Sequence, residues 1–123
     1  WKVTFGDLVT DLVFSPDGQR VACIGKEKEK WSCMVDGNQW LGEYDMAWKP
    51  VFSTDSAHVA LKVEKEGRFT YLVDGKPMKQ NFKMAWDPIF SPDGEKILIR
   101  AVEEDGDQEK YVRTVLPLNQ ILG

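Results

Sequence analysis

The sequence predicts an all-β chain of three tandem, four-stranded antiparallel units, each about 38 residues long. Three landmarks recurring in one register predict it. Phe14, Phe52 and Phe90 lie 38 residues apart, inside Asp11-Leu-Val-Phe-Ser-Pro-Asp-Gly18, Lys49-Pro-Val-Phe-Ser-Thr-Asp-Ser56 and Asp87-Pro-Ile-Phe-Ser-Pro-Asp-Gly94. Asp36-Gly37 and Asp74-Gly75 keep that offset, as do Met46-Ala47-Trp48 and Met84-Ala85-Trp86.

Each unit is read in the same order. A first strand ends at Phe-Ser, and Ser-Pro-Asp-Gly then suits a tight turn: Ser caps it, Pro presets φ, Asp tolerates the third place and Gly takes the strained exit. The second copy, Ser53-Thr-Asp-Ser56, lacks Pro and Gly, so a less rigid turn is expected there. Second strands are read at 20–24, 59–63 and 96–102, and third strands at 31–35, 69–73 and 111–116, all rich in β-branched and aromatic residues. Charged hairpin loops join them. Asp-Gly after a β-branched run is the favoured two-residue hairpin signal, because both central positions want positive φ. A fourth strand is then expected to reach Met-Ala-Trp. Val59-Ala60-Leu61 and Ile97-Leu98-Ile99 are apolar on both faces and need cover on both sides, which stacked neighbours provide. The units are placed at 11–48, 49–86 and 87–123. Trp1-Lys-Val-Thr-Phe5 aligns with Trp40-Leu-Gly-Glu-Tyr44, so residues 1–10 are expected to supply a strand that completes a unit.

Phe-Ser-Pro-Asp-Gly followed by a short apolar strand resembles the repeat of TolB-type, WD-repeat-like β-propellers, over essentially the whole chain. That resemblance implies propeller-type blades and a protein-binding role. The Trp-rich blades of Met-Ala-Trp and Val-Asp-Gly type also resemble the tryptophan-rich TmcD-type subunit of bacterial transmembrane electron-transport complexes. This second resemblance implies an accessory subunit, in the bacterial cytoplasm or periplasm, associated with a membrane complex. Propellers close with four to eight blades, so three form a partial propeller, or half of a six-bladed one made by two chains paired head to tail. A chain opening on Trp1 is expected to be a processed or trimmed product.

Composition narrows the function classes. With 42% hydrophobic and 29% charged residues the chain has an ordinary globular make-up, and a net charge of -4 with pI near 5.0 argues against a nucleic-acid footprint. No apolar run approaches a membrane span. There is no haem-attachment Cys-x-x-Cys-His and no iron-sulfur cysteine cluster, so any redox role is architectural and no cofactor is expected.

Alternating strand direction places the loops after the second and fourth strands on one rim. That rim is expected to hold Lys26–Lys30, Glu64–Gly67, Glu103–Glu109, Trp48 and Trp86, and to be the recognition face. The partner-binding candidates are Trp48, Trp86, Glu103, Glu104, Asp105, Asp107 and Glu109. Glu103–Glu109 carries five negative charges and no positive one, and this loop is the site of a four-residue insertion. Such a lobe steers a basic or redox protein. Alternatively it is a solvated hairpin tip, and Glu-Glu-Asp-Gly-Asp matches a calcium loop only crudely, so no metal site is assigned. Repeating tryptophans are more often packing devices than ligand contacts, and Trp1, Trp31 and Trp40 are read as core, as is the aromatic slot shared by Trp31, Phe69 and Tyr111. His58 with Asp55 and Ser56 lies on one local turn, unlike a triad drawn from separated segments, so no catalytic residue is assigned. Cys23 and Cys33 are symmetric about residue 28. Directly opposed across the hairpin, they are read as buried free thiols, with a strained cross-strand disulfide as the alternative.

The function expected is a non-enzymatic protein-interaction or assembly module that self-associates. The alternatives are a propeller portion of a larger enzyme such as a peptidase, or a small-ligand or metal-binding blade array.

Overall fold

A computed structural model describes residues 8–122 as an all-β chain of three antiparallel sheets. Sheet one comprises β1 (Leu8–Phe14), β2 (Val21–Glu27), β3 (Lys30–Val35) and β4 (Asn38–Gln39). Sheet two has β5 (Met46–Ala47), β6 (Val51–Phe52), β7 (Val59–Lys65), β8 (Arg68–Val73) and β9 (Lys76–Pro77). Sheet three has β10 (Met84–Ala85), β11 (Ile89–Phe90), β12 (Lys96–Asp105) and β13 (Gln108–Pro117), followed by the short helix α1 (Asn119–Leu122). Among the described residues no helix is long and apolar enough to cross a membrane. The expected strand at Trp1–Phe5 lies outside the described residues.

Met-Ala-Trp does not end a unit, as the sequence suggested, but begins one. Met46–Ala47 and Val51–Phe52 both pair with β7, and Met84–Ala85 and Ile89–Phe90 both pair with β12. They are two halves of one edge strand. One extra residue separates the halves, and because Pro50 and Pro88 carry no N–H to donate, the ladder breaks there. Leu12 stands at the equivalent place in the first unit, and there β1 runs through with only a register shift between Thr10 and Val13. The sheets therefore start at residues 8, 46 and 84, three residues ahead of the unit starts read from the repeat. The strand completing sheet one is short: β4 pairs with β3, and Trp31 bridges Tyr44 before Asp45 N–H crosses to Glu64 O.

Asp36-Gly37 and Asp74-Gly75 have φ of 52° and 82°, and 50° and 85°, as the mirror-image hairpin turn requires. The three Ser-x-Asp-x turns are wired alike. Ser15, Ser53 and Ser91 each accept the N–H three residues on and donate Oγ–H to Asp17, Asp55 and Asp93. The second turn keeps this wiring without Pro or Gly because Ser56 itself adopts φ 63°, against 75° for Gly18 and 74° for Gly94. The serine hydroxyl is the main influence holding each aspartate below its ordinary pKa of 3.8. A depressed carboxylate contributes stability that is full above the unfolded value and lost as pH falls through the lower folded one. Ser91→Ala is therefore expected to move the Asp93 titration up toward 3.8, as followed by carboxyl-carbon NMR, with Asp17 unmoved as the internal control.

The sheets stack face to face. Ala22, Ile24, Trp31, Cys33 and Val35 of sheet one share a core with Ala47, Val59, Leu61, Val63 and Leu72 of sheet two. The opposite face of sheet two, Ala60, Tyr71 and Val73, packs with Ala85, Phe90, Ile97, Ile99 and Ala101 of sheet three. Sheet two is thus covered on both sides, as its doubly apolar strands require. The two interfaces are the same interface shifted by one repeat. At each, the trailing face of one sheet, bearing residues such as Val35 and Val73, meets the leading face of the next, bearing Leu61 and Ile99.

Candidate protein-interaction surface

Trp48 and Trp86 sit in the edge-strand interruptions rather than on a loop rim. Trp48 N–H donates to Lys62 O midway along β7 (3.1 Å), and Trp86 N–H to Arg100 O on β12 (3.0 Å). This displaces them from the rim assigned from the sequence, because the two strands taken as separate neighbours are one interrupted edge. Both rings lie on the trailing faces of their sheets. Trp48 stacks on Phe69 at 5.6 Å with Lys62 Nζ 4.3 Å above it, while Trp86 meets Tyr111 edge to face at 5.8 Å.

The equivalence ends at burial. Trp48 is half-buried and Phe69 packs against the second core, whereas Trp86 is 40% and Tyr111 56% exposed. Tyr111 was read as core from the slot it shares with Trp31 and Phe69. It is instead on a face that no described residue covers. Cross-strand pairing puts Met84, Val102 and Tyr111, then Arg100 and Arg113, then Ile89, Leu98 and Val115 on that face. Val115 is 58% exposed. Arg100 Nε is shielded from water and donates to nothing among the described residues. The periodicity that hid these residues also locates them, since Ile89, Leu98, Arg100, Tyr111, Arg113 and Val115 occupy slots that in sheet two face sheet three.

The acidic insertion lengthens a hairpin instead of forming a separate lobe. Its four residues add to both strands, so β12 and β13 each run ten residues and pair from Lys96↔Pro117 to Asp105↔Gln108. Three of the five acids of Glu103–Glu109 are engaged within the chain: Glu103 accepts from Gln80, Glu104 from Arg68 Nη1 at 3.0 Å, and Glu109 from Lys83. The side chains of Asp105 and Asp107 at the tip make no hydrogen bond or ion pair among the described residues and remain the free negative charges. No three His, Cys, Asp or Glu side chains among the described residues converge as metal ligands.

His58 replaces Arg20 one repeat on. Arg20 Nε donates to Asp36 Oδ2 at 2.8 Å, and His58 Nδ1 lies 2.6 Å from Asp74 Oδ2, while the other oxygen of each aspartate accepts the N–H of Val21 or Val59. The histidine thus braces an Asp-Gly turn. It also lines a recess of about 640 Å³ together with Asp55, Asp93, Lys96 and Asn119, but no hydroxyl or thiol nucleophile lines that recess.

The cysteines are not opposed. The loop between β2 and β3 is Lys28-Glu29, which centres the hairpin half a residue beyond 28, so Cys23 pairs with Met34 and Cys33 with Ile24. A one-residue slip changes the face. Cys33 lies in the core between sheets one and two, Cys23 on the far side beside Met34, and the cross-strand disulfide is excluded. Burial pushes the Cys33 thiol up to about 12 and raises Cys23 as well. Neither thiol is expected to react with an aromatic disulfide reagent in the native protein, and both should react in denaturant. Absorbance of the released thiolate measures this.

No family model matches the chain, and no curated protein matches it. Among solved structures it is similar to one from Bacteroides uniformis described as a 6-phosphogluconolactonase, at 15% identity and a TM-score of 0.41. The match covers 89% of this chain and 41% of that one. A likeness at that level transfers neither a fold assignment nor an activity.

Proposed function

We propose that the chain is a non-enzymatic protein-interaction module, a partial array of propeller-type blades whose working surface is the trailing face of sheet three. The observation supporting this reading is the exposed cluster of Trp86, Ile89, Tyr111 and Val115 around Arg100, since contiguous exposed apolar area rimmed by charge marks protein contact sites. Its aromatic and arginine content is that of an interface centre. The face is a β-sheet surface, suited to a partner that presents another sheet or a broad apolar surface. The extended acidic hairpin stands at one end of it and supplies Asp105 and Asp107 for orientation of a basic partner rather than for affinity.

The test is quantitative recovery of bound proteins by the tagged chain and by Tyr111→Glu. A partner held by the parent chain and lost by Tyr111→Glu, with the sheet content of the variant intact by circular dichroism, supports the assignment. Equal recovery by both chains contradicts it.

A further inference from the structure

The outer edge of sheet three, along β13, carries no strand among the described residues. Arg100 O and Val102 O of β12 accept from Trp86 N–H and Lys83 N–H on the inner side. Their partners across the ladder, Arg113 and Tyr111, therefore turn their backbone N–H and C=O away from β12, and Val115, two residues on, does the same. After β13 the described chain runs toward sheet two, not back along this edge. Leu118 is buried with its N–H on Glu95 O, and α1 packs against β9. A row of unpaired backbone groups of this kind is a template for a further strand.

In the other two sheets the same edge is filled, and by one device. In sheet one Trp40 N–H donates to Cys33 O at 2.8 Å, and Trp31 and Tyr44 exchange backbone bonds at 2.7 and 2.9 Å. In sheet two Met78 N–H donates to Tyr71 O at 3.0 Å, and Phe69 and Phe82 exchange bonds at 2.9 and 2.7 Å. Each filling segment is thus pinned at two points four residues apart, a large apolar residue first and an aromatic second. The aromatic is held by its ring as well: Phe82 is buried edge to face with Tyr71, and Tyr44 packs against the first core. A cation on the edge strand grips the neighbour of that aromatic. Lys30 reaches Asp45, just after Tyr44, and Arg68 Nε donates to Asn81 Oδ1 at 3.0 Å, just before Phe82. Sheet three keeps the receiving half of this device. Tyr111 takes the slot of Trp31 and Phe69, Arg113 that of Cys33 and Tyr71, and Lys110 that of Lys30 and Arg68. The Lys110 ammonium makes no hydrogen bond or ion pair among the described residues.

We propose that the β13 edge binds an antiparallel segment of another protein, with a large apolar residue opposite Arg113, an aromatic residue four positions on opposite Tyr111, and a carboxylate or amide beside that aromatic for Lys110. Binding adds a strand to the sheet, with backbone bonds for affinity and the two anchor residues for selectivity. The aromatic ring lies on the Arg113 guanidinium as Phe82 lies on Tyr71, and a guanidinium favours an aromatic face. The site adjoins the trailing face but is separate from it, being made of backbone groups on the edge.

The probe is a fluorescent peptide with the sequence of residues 38–47 of this chain, which carries Trp40, Tyr44 and Asp45 at the required spacing. It is titrated with the 123-residue chain and followed by anisotropy, alongside amide hydrogen exchange by NMR. Saturable binding is expected, with exchange of the Tyr111 N–H slowed by about ten-fold or more in the complex. Methylating the backbone nitrogen of Trp40 or Tyr44 in the peptide removes the donor to Arg113 O or Tyr111 O, and each change should weaken binding about ten-fold. Methylating that of Leu41, whose N–H makes no hydrogen bond in sheet one, should leave binding unchanged. The absence of saturable binding, an equal response to all three methylations, or protection gained at other amides but not at Tyr111 overturns the proposal. Slow exchange of the Tyr111 N–H in the free chain overturns it too, because the edge is then filled by the chain's own residues or by a second copy. None of these outcomes touches the reading of the trailing face, which stands or falls on Tyr111→Glu.

Discussion

Tyr71→Ala is expected to lower the unfolding free energy by about 3–5 kcal/mol, the largest effect of any single truncation between sheets two and three. Tyr71 is fully buried, packs edge to face with Phe82 at 6.2 Å, and lies at the centre of the core that joins the two sheets. Its hydroxyl adds a second role, donating to Trp86 O at 2.6 Å and Arg100 O at 3.1 Å. Tyr71→Phe keeps the ring and removes that donor, so it should cost about 1–3 kcal/mol, the price of leaving a buried carbonyl unsatisfied. Urea denaturation followed by tryptophan fluorescence separates the two contributions. A Phe variant as unstable as the Ala variant would mean that packing contributes little at this site.

Gly94→Ala comes second, with an expected loss of about 2–3 kcal/mol, built from about 1–2 for a side chain forced into the left-handed region and a further amount for displacing a neighbour. Gly94 has φ 74°, and a Cβ there would meet Asp55 Oδ2 at 2.7 Å and its carboxyl carbon at 2.9 Å. Gly18 is the matched control. It has φ 75° in the equivalent turn with open space around it, so Gly18→Ala should show the backbone cost alone. The difference between the two variants, read from urea midpoints at equal m-value, measures how tightly the second turn seats on the third. Thr54 Oγ1 donating to Pro92 O at 2.6 Å belongs to the same contact.

Much of the fold is legible in the sequence because turns and periodicity are local properties. Asp-Gly needs two residues to define a mirror-image turn, and Ser-x-Asp needs three to wire its own cap, so these features are recoverable without tertiary information. The doubly apolar Val59-Ala60-Leu61 announces cover on both sides for the same reason. What escaped local reading is phase. Whether Met-Ala-Trp ends one sheet or opens the next depends on which central strand it bonds, and only the pairing with β7 and β12 decides that. The cysteine pair failed by half a residue, the difference between a loop centred on Lys28 and one of Lys28-Glu29.

The interaction surface was half legible. Trp86 was named for its repetition, yet its twin Trp48 stacks on Phe69 with Lys62 above it, so repetition alone does not distinguish a packed ring from a presented one. Tyr111, Val115, Arg100 and Arg113 carry core-like periodicity and are visible as a surface only once the stacking order is known. Of the acidic residues expected to face a partner, Glu103, Glu104 and Glu109 are also paired within the chain, with Gln80, Arg68 and Lys83. Long-range partners of exposed charges leave no local trace in a sequence.

The central claim is that the three sheets stack by one repeated contact, trailing face on leading face. Nuclear Overhauser contacts in solution test it most directly. The account predicts contacts from Ile24 to Leu61 across the first interface and from the Tyr71 ring to Ile99 across the second, with none between Ile24 and the Tyr71 ring, which lie on opposite sides of the second sheet. Contacts between Ile24 and Tyr71, or the absence of both predicted sets in a folded sample, would contradict it.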